Sequence, residues 1–444
     1  MRGRARAVLG ALALATAGLA AIVPAAGGVA GELTFRQSEA NCLSRWQGDR
    51  CAETRGLRDL KQLVVSADGR NLYAATDHGI VVLSRDPRTG ALAQLRGAAG
   101  CLAERPGSAG CGPIRGLPEY GAVELTVSPD NRTVLAQTFE DKVLVLDRAR
   151  DGSLSQDPGP SGCIGPDPSA TVYDGESPEP PTAAPGCEVM EDAPRIGRLE
   201  FALDGRRGYM SYGSGVGRVA AFRRDLSGSF ELLRSAETCI RSDKSLSEGA
   251  PGPCTPVEGL TWNETALSDD GLNLYASSDR AIIGFATEPL TGAIAPRPLS
   301  AGCISNDGAL ADDGEPDRCS AGRHLTGLSG LTVSADGRRI YAVNRSTDTL
   351  VAVRRGLTGT LSQPSVTCAS EGGRGGCRRV VGMKGPTEIA LAPDGASAYV
   401  PGWGEEEVAG IALGSDGAGV AFDAVLRRLL RQPLQAAHGI LRTV

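Results

Sequence analysis

Six positions of the sequence that share one spacing hold mostly charged or polar side chains. Each lies six residues before the aspartate of a short Asp-Gly or Asp-Asn turn, and in chain order they are Gln62, Glu124, Arg198, Glu264, Gly330 and Glu388. Carboxylates that converge can hold Ca²⁺, or raise one another's pKa toward use as a general acid or base. The competing interpretation is that Arg198 neutralises its acidic neighbours and that the space between them holds only water.

Two aromatic side chains and three histidines complete the candidates for chemistry. Tyr120 and Trp262 precede repeated strands, where they could stack on a sugar ring or equally pack on a neighbouring sheet. His78, His324 and His438 are the histidines, and their positions favour ordinary surface roles. Ser-His-Asp and Cys-His catalysis therefore have little support. No cofactor is expected, apart from Ca²⁺ as an option among the carboxylates.

The composition excludes some functions before any motif is considered. The 444 residues carry 46 basic and 52 acidic side chains, a net charge of −6. A protein of this charge has no dominant basic surface, so a nucleic-acid partner is not expected. With 60 glycines, 27 prolines and only 4% aromatic residues, the chain suits turns and short strands better than long helices.

The first 30 residues have the layout of a secretory signal peptide. Arg2, Arg4 and Arg6 precede an apolar run over 7–23 that ends in small residues. A membrane anchor is the alternative, but this run is marginal for spanning a bilayer of about 30 Å. No apolar run approaches 18 residues after position 31. We therefore expect cleavage near residue 30, a mature protein outside the cytoplasm, and no transmembrane segment after cleavage.

Export changes the interpretation of the 12 cysteines, because thiols in an oxidising compartment form disulfides more often than metal sites. No CxxC motif occurs, so a zinc ribbon or a thioredoxin-like site has little support. The cysteines fall in close pairs separated by long intervals, which favours nearest-neighbour bonding. The predicted disulfides are Cys42–Cys51, Cys101–Cys111, Cys163–Cys187, Cys239–Cys254, Cys303–Cys319 and Cys368–Cys377.

The acidic turns define a repeat of about 65 residues, with intervals of 62, 74, 66, 66 and 58. An apolar stretch precedes each turn and another follows it, as in Leu63-Val64-Val65 and Leu72-Tyr73-Ala74. Asp-Gly between two β-prone runs predicts a hairpin, with a type I′ turn in which both central residues have positive φ. A third strand and a fourth follow in each unit, so every repeat predicts one antiparallel sheet of four strands, A to D.

Such a sheet is apolar on both faces, and closing several copies into a ring buries those faces. The sequence therefore predicts an all-β protein, a β-propeller of six four-stranded blades with one disulfide in each D-to-A loop. The ring closes when an N-terminal fourth strand near 31–35 pairs with the last unit. The alternative is seven blades. The signal peptide covers 1–30, and 31–444 form one domain. Within this domain, 31–57 hold the closing strand and the first disulfide loop, and 418–444 form a C-terminal tail. The six units start near 61, 123, 197, 263, 329 and 387.

The Asp-Gly turns and the run Ile340-Tyr341-Ala342-Val343-Asn344 resemble the YVTN and lactonase-like β-propeller repeat families. The resemblance covers nearly the whole mature chain and points to the exported, cysteine-paired subset of such proteins. It implies the fold more than the function, because the motif describes packing and turns. Lactonase-like propellers include sugar lactonases, usually with seven blades. No catalytic residue of that family falls on a matching position of this sequence.

D-to-A and B-to-C connections emerge on one face of a propeller, so the disulfide loops should surround one mouth of the central channel. Stapled loops on a rigid ring form a preorganised recognition surface. The leading hypothesis is a non-enzymatic, exported binding scaffold for a protein or a glycan. The alternative is a lactonase-like hydrolase that uses an acidic, calcium-binding channel. A purely stabilising role for the disulfides is compatible with either.

Overall fold

Each repeat of the computed structural model folds into one small sheet, and six sheets stand around a central channel. The structure describes residues 33–35, 42–44, 52–104, 110–118, 121–138, 140–169, 184–191, 196, 198–202, 204–212, 218–225, 230–233, 235–243, 254–260, 264–278, 280–310, 318–380, 382–403 and 407–413. The six-bladed β-propeller predicted from the sequence is confirmed. The predicted signal peptide and the tail over 418–444 lie outside the described residues.

The strands are numbered in chain order, and the first three belong to the last blade. They are β1 (Leu33–Phe35), β2 (Cys42–Ser44) and β3 (Ala52–Glu53). Blade one contains β4 (Leu60–Val65), β5 (Asn71–Thr76), β6 (Gly79–Arg85), β7 (Leu92–Gln94), β8 (Cys101–Ala103) and β9 (Gly112–Pro113). Blade two contains β10 (Ala122–Val127), β11 (Thr133–Thr138), β12 (Val143–Arg148), β13 (Leu154–Gln156), β14 (Cys163–Pro166) and β15 (Glu188–Met190).

The remaining blades follow the same order. Blade three contains β16 (Leu199–Phe201), β17 (Arg207–Tyr212), β18 (Arg218–Arg224), β19 (Phe230–Leu233), β20 (Cys239–Ser242) and β21 (Thr255–Val257). Blade four contains β22 (Thr265–Leu267), β23 (Asn273–Ser277), β24 (Ala281–Glu288), β25 (Ala293–Pro296), β26 (Cys303–Ser305) and β27 (Ser320–Ala321). Blade five contains β28 (Leu328–Val333), β29 (Arg339–Asn344), β30 (Thr349–Arg355), β31 (Leu361–Ser370) and β32 (Arg378–Arg379). Blade six contains β33 (Ala390–Leu391), β34 (Ser397–Gly402) and β35 (Glu407–Leu413).

The helical elements that lie wholly within the described residues are single turns that precede cysteines. These turns are Gly97–Gly100, Pro160–Gly162, Arg374–Gly376 and α1 (Leu299–Gly302). None of them has the length to cross a bilayer.

Each blade is wider than the four strands that the repeat predicts. In blade one, β7 pairs with one half of β6 and β8 with the other half, so the fourth strand is split in two. The second cysteine of the pair then leads into β9, which pairs with β8 in parallel. The same extra strand recurs in every blade, as β15, β21, β27, β32 and β3. The cysteine pair therefore links neighbouring strands of one sheet.

Five of the six predicted disulfides lie within the described residues and have the predicted partners. They are Cys101–Cys111, Cys163–Cys187, Cys239–Cys254, Cys303–Cys319 and Cys368–Cys377. The sixth prediction, Cys42–Cys51, falls partly outside the described residues. The two cysteines of each bond are 9 to 24 positions apart in the sequence.

The expected turn type between the first two strands is wrong. In the turn Ser66–Gly69, the amide of Gly69 donates to the carbonyl of Ser66, and only Gly69 has positive φ, at 69°. Asp68 keeps an ordinary backbone conformation, because its carboxylate accepts hydrogen bonds from Ser66 Oγ and from the amide of Arg70. The aspartate is therefore selected by side-chain hydrogen bonds rather than by tolerance of positive φ.

The N-terminal strand closes the ring. β1 and β2 both pair antiparallel with β35, the third strand of the last blade, in the registers Leu33 with Leu413 and Cys42 with Ala409. The first residues of the described chain thus complete the sheet of its last repeat. Buried apolar clusters fill the spaces between adjacent blades, and one of them joins Leu57, Leu63 and Leu72 of blade one to Tyr399 and other residues of blade six.

An Arg-Tyr-Asp contact repeats across three blade interfaces. At the closing interface, Arg85 Nε donates to Tyr399 Oη over 2.7 Å, and Arg85 Nη2 pairs with Asp394 at 2.8 Å. The other two contacts join Arg148 to Tyr73 and Asp68, and Arg355 to Tyr275 and Asp270. The arginine comes from the end of a third strand, and the tyrosine and aspartate come from the preceding blade. Tyr399 Oη also donates to the carbonyl of Gly90 over 2.8 Å.

Removing the hydroxyl of Tyr399 should weaken the closed ring. Tyr399→Phe leaves the buried Nε of Arg85 without that acceptor, and we expect a loss of about 1–3 kcal/mol in the free energy of unfolding. Urea titration followed by circular dichroism measures it. Tyr209→Phe is the matched control, since Thr287 replaces the arginine at that interface and donates instead to the carbonyl of Gly271. Equal losses in the two variants would contradict the proposed importance of the arginine contact.

The untested disulfide can be checked chemically. Because the other five pairs join nearest neighbours, digestion without reduction and mass spectrometry should recover a peptide that links Cys42 to Cys51. A peptide that links Cys42 to any other cysteine would contradict the pairing.

Candidate ligand-binding site at the channel mouth

The structure brings the predicted column of polar residues to one cavity. Four of its members, Gln62, Glu124, Glu264 and Glu388, line a cavity of about 390 Å³. The innermost strands start here, and the loops between second and third strands of blades five and six contribute Arg345 and Trp403. The full lining is Lys61, Gln62, Glu124, Glu264, Ser329, Arg345, Thr387, Glu388 and Trp403. The cavity therefore lies at the end of the channel where the innermost strands begin.

Arg198 binds three of the carboxylates near this cavity. Its Nε pairs with Glu200 at 2.8 Å, and its Nη1 pairs with Glu388 at 2.5 Å and also with Glu264. Glu264 belongs to the next blade, whereas Glu388 belongs to the blade on the opposite side of the six-membered ring. Only 13% of the Arg198 side chain is exposed. The guanidinium thus acts as an internal counter-ion that spans the channel, as the neutralising interpretation requires.

The protonation of the carboxyl groups follows from their burial. Burial raises the pKa of Glu388 to about 7, although the charge of Arg198 opposes the rise. Burial, with the nearby charge of Glu264, raises the pKa of Glu124 well above its usual range. Burial also raises the pKa of Glu200. Glu124 therefore keeps its proton to a higher pH than an exposed glutamate does, and Glu388 titrates near pH 7.

Glu124 holds a polar atom that the fold leaves unused. Its Oε2 is buried and has no hydrogen-bond partner among the residues that the structure describes. A buried polar atom without a partner is costly unless a water or a ligand meets it. Glu388, in contrast, accepts from the amide of Ile389 through Oε1 and from Arg198 through Oε2.

Two members of the column contribute to the packing between blades. The Oε1 of Gln62 accepts the backbone N–H of Leu125 in the next blade, so this side chain links two blades. At Gly330, a Cβ would lie 2.7 Å from the Cα of Glu388. The backbone of blade six therefore fills the space that a side chain at position 330 would need, which explains the glycine in an otherwise polar column.

The rim of the cavity carries residues that sequence reasoning missed. The guanidinium of Arg345 lies over the indole ring of Trp403, 4.2 Å from its centroid. Trp403 is 47% exposed, and Arg345 is exposed as well. Lys61 pairs with Asp77 at 2.9 Å. Arg345 and Trp403 both follow the second strand of their blades, but no repeat pattern marks those loop positions.

The hydroxyl groups of the cavity are partly committed to the fold. Ser329 Oγ donates to the carbonyl of Pro386 over 2.7 Å, and Thr387 Oγ1 donates to the carbonyl of Lys61 over 2.8 Å. Because both hydroxyl protons already take part in hydrogen bonds within the fold, the two oxygens can only accept hydrogen bonds from a ligand. The donors that remain at the cavity include Arg345, Lys61 and the Nε2 of Gln62.

The other predicted candidates do not join this site in the described structure. Tyr120 and Trp262 lie outside the described residues. His78 is exposed and lines a second cavity, of about 310 Å³, beside the Cys101–Cys111 disulfide. His324 Nε2 lies 3.8 Å from the Sγ of Cys377, a disulfide sulfur.

The glutamates do not form a compact metal-binding group. Among the described residues, three metal-ligating side chains of different residues meet within 4.8 Å only at His324, Cys368 and Cys377, where both sulfurs are bonded to each other. The channel carboxylates instead surround the guanidinium of Arg198. Ca²⁺ in the channel stays a prediction from the sequence.

The chain matches no protein-family model and no curated protein. Among solved structures, it is similar to a putative 6-phosphogluconolactonase from Bacteroides fragilis, with 14% identity, 79% of this chain and 78% of that chain covered, and a TM-score of 0.40. It is similar to the periplasmic gluconolactonase of Pseudomonas aeruginosa, with 19% identity, 68% of each chain covered and a TM-score of 0.37. The hydrazine synthase of Kuenenia stuttgartiensis is a third, with 13% identity, 84% and 99% covered and a TM-score of 0.41.

Structural similarities with identities of 13–19% and TM-scores of 0.37–0.41 support no statement about function. The blade architecture rests on the strand pairing described above, and membership of the YVTN or lactonase-like families stays a prediction.

The raised pKa of Glu388 should make stability depend on pH. The folded state holds this proton up to a pH of about 7, whereas an unfolded glutamate loses it near 4.5. This difference stabilises the folded state below pH 4.5. As the pH rises to about 7, the free energy of unfolding falls by on the order of 2–3 kcal/mol because the stabilisation is lost. Glu388→Gln should remove this part of the decline between pH 5 and pH 8 in urea titrations. The exposed Glu104→Gln is the control and should follow the wild-type slope. Parallel slopes for all three proteins would contradict the assignment.

Proposed function

We propose that the protein is an exported binding module that seats part of a glycan or protein in the channel mouth. The observation that carries the proposal is the cavity of about 390 Å³, which has an exposed, arginine-stacked tryptophan at its rim and an unused buried carboxyl oxygen in its wall. Cavities of about 300–1,000 Å³ with a few convergent polar groups are typical of ligand sites. Export is supported by the predicted signal peptide and by the disulfides.

The surrounding loops are held rigidly, which favours binding without a large ordering cost. Each disulfide fixes the strand that leads toward the next blade. Neighbouring loops also brace each other: Arg318, which precedes Cys319, forms two hydrogen bonds to Glu258 of the preceding loop. In blade one, the Gln94 amide exchanges hydrogen bonds with the backbone of Arg55, at the start of the blade.

Trp403 provides a matched test of this site. Trp403→Ala removes the aromatic face, so we expect binding to weaken at least tenfold while the melting temperature in the absence of ligand stays within about 2 °C. Binding is measured by tryptophan fluorescence of the wild type and by calorimetry, with maltotriose, chitotriose, digalacturonate, trialanine and trilysine as probes. Leu290→Ala, at an exposed residue in a turn between third and fourth strands, is the control and should bind normally. Failure of every probe, or an effect of Leu290→Ala equal to that of Trp403→Ala, would count against the proposal.

A lactonase-like hydrolase is the second candidate, and the protonation of the carboxyl groups is the observation that favours it. A carboxyl group with a pKa of about 7, such as Glu388, can act as a general base at neutral pH, and protonated Glu124 can act as a general acid. Against this role, both oxygens of Glu388 already accept hydrogen bonds. Nothing in the cavity of the described structure resembles an activated nucleophile, so the attacking group would be water.

Hydrolysis can be separated from binding by a lactone screen with metal analysis of the purified protein. If the protein is a binding module, glucono-δ-lactone and homoserine lactones should hydrolyse at the uncatalysed rate. Turnover that falls at least 100-fold in Glu388→Gln, while Glu104→Gln keeps full activity, would establish the hydrolase instead. Stoichiometric Ca²⁺ that is lost in Glu124→Gln would add the metal to that mechanism.

A further inference from the structure

The charges around the cavity are sorted by depth. The buried wall carries carboxyl groups, with only 5% of the Glu388 side chain and 25% of the Glu264 side chain exposed. The exposed rim carries Arg345, stacked on Trp403, whereas Lys61 lies at the depth of Glu264, with 24% of its side chain exposed. A ligand that enters from solvent therefore meets Arg345 before it reaches Glu388.

The buried wall holds fewer cations than carboxyl groups. One guanidinium, Arg198, faces the carboxyl groups of Glu124, Glu200, Glu264 and Glu388. A second cation would relieve the repulsion among them. The buried Oε2 of Glu124 needs a hydrogen-bond partner, and the three N–H donors of a primary ammonium group satisfy one carboxyl oxygen while reaching others.

The rim lacks negative charge. Within the described residues, the guanidinium of Arg345 has no carboxylate partner and is fixed by its stack on Trp403. Stacking leaves the edge of the guanidinium free, and that edge matches the two oxygens of a carboxylate. Lys61 lies on the same cavity, and its pairing with Asp77 leaves ammonium protons available.

A ligand with one kind of charge does not suit this arrangement. An anion alone would bind at the rim and leave the buried wall without its cation. A cation alone would have to pass Arg345. A neutral saccharide would leave both sets of charges unpaired, which costs binding free energy wherever water is displaced.

We propose that the channel mouth binds a small zwitterion, specifically a free α-amino acid, with its ammonium group on Glu124 and Glu264 and its carboxylate on Arg345. This proposal rests on the binding role and the site of the proposed function, and it assigns the site a free amino acid in place of part of a glycan or protein. The side chain of the amino acid would lie along the exposed part of Trp403.

Calorimetry with glycine, L-alanine, L-glutamine and L-lysine tests the charge requirement directly. Propylamine and propionate, each with one of the two charged groups, are the matched controls. We expect the best amino acid to bind at least tenfold more tightly than either control. Amino acids that bind no better than propylamine and propionate would overturn the proposal.

Two variants assign the two ends of the ligand. Arg345→Gln should weaken binding of the amino acid and of propionate at least tenfold while leaving propylamine unaffected, and Glu124→Gln should do the reverse for the two controls. The exposed Arg338→Gln is the control variant and should bind as the wild type does. Melting temperatures without ligand verify that each variant is folded.

The result also separates this proposal from the broader one. If maltotriose or another oligosaccharide binds in a Trp403-dependent manner and no amino acid does, the binding module stands and the zwitterion proposal falls. If no probe of either panel binds, both proposals fall.

Discussion

The closed interface between the last blade and the first is the constraint on which the rest of the structure depends. The N-terminal strands complete the sixth sheet by pairing with β35, and Arg85 of blade one joins Tyr399 and Asp394 of blade six across the same interface. The cavity at the channel mouth takes residues from blades on both sides of this junction, including Lys61 and Glu388. Without closure, these side chains have no fixed separation, so the site is a property of the ring rather than of any blade.

Arg198 has the corresponding role inside the channel. It joins Glu200 and Glu264 of neighbouring strands to Glu388 on the opposite side, and its charge limits how far burial raises the pKa of that carboxyl. A buried arginine of this kind gives little net stability, because desolvation offsets much of the attraction. It also determines which carboxyl oxygens keep no partner within the fold. Glu124, which has no described partner for Oε2, is the clearest one.

The sequence predicted the repeated features that carry a side-chain signal and missed the repeated features that do not. Six turns, the cysteine spacing and the N-terminal strand each recur in register, so the blades, five of the disulfides and the closure followed from the pattern. The column from Gln62 to Glu388 was found for the same reason. The split fourth strand and the parallel fifth strand have no signal of their own, because backbone pairing at a blade's outer edge places few demands on side chains.

Specific recognition in a ring of similar blades has to come from positions where the blades differ, because six equal side chains around an axis would present the same group in every direction. Arg198 replaces a carboxyl or amide group in its column, and Gly330 gives its place to the backbone of blade six. Arg345 and Trp403 stand side by side in only one pair of neighbouring loops. Arg345 and Trp403 line one cavity with Glu264 and Glu388, and Arg198 and Gly330 lie against those two glutamates, so the departures together give the cavity a basic side and an acidic side.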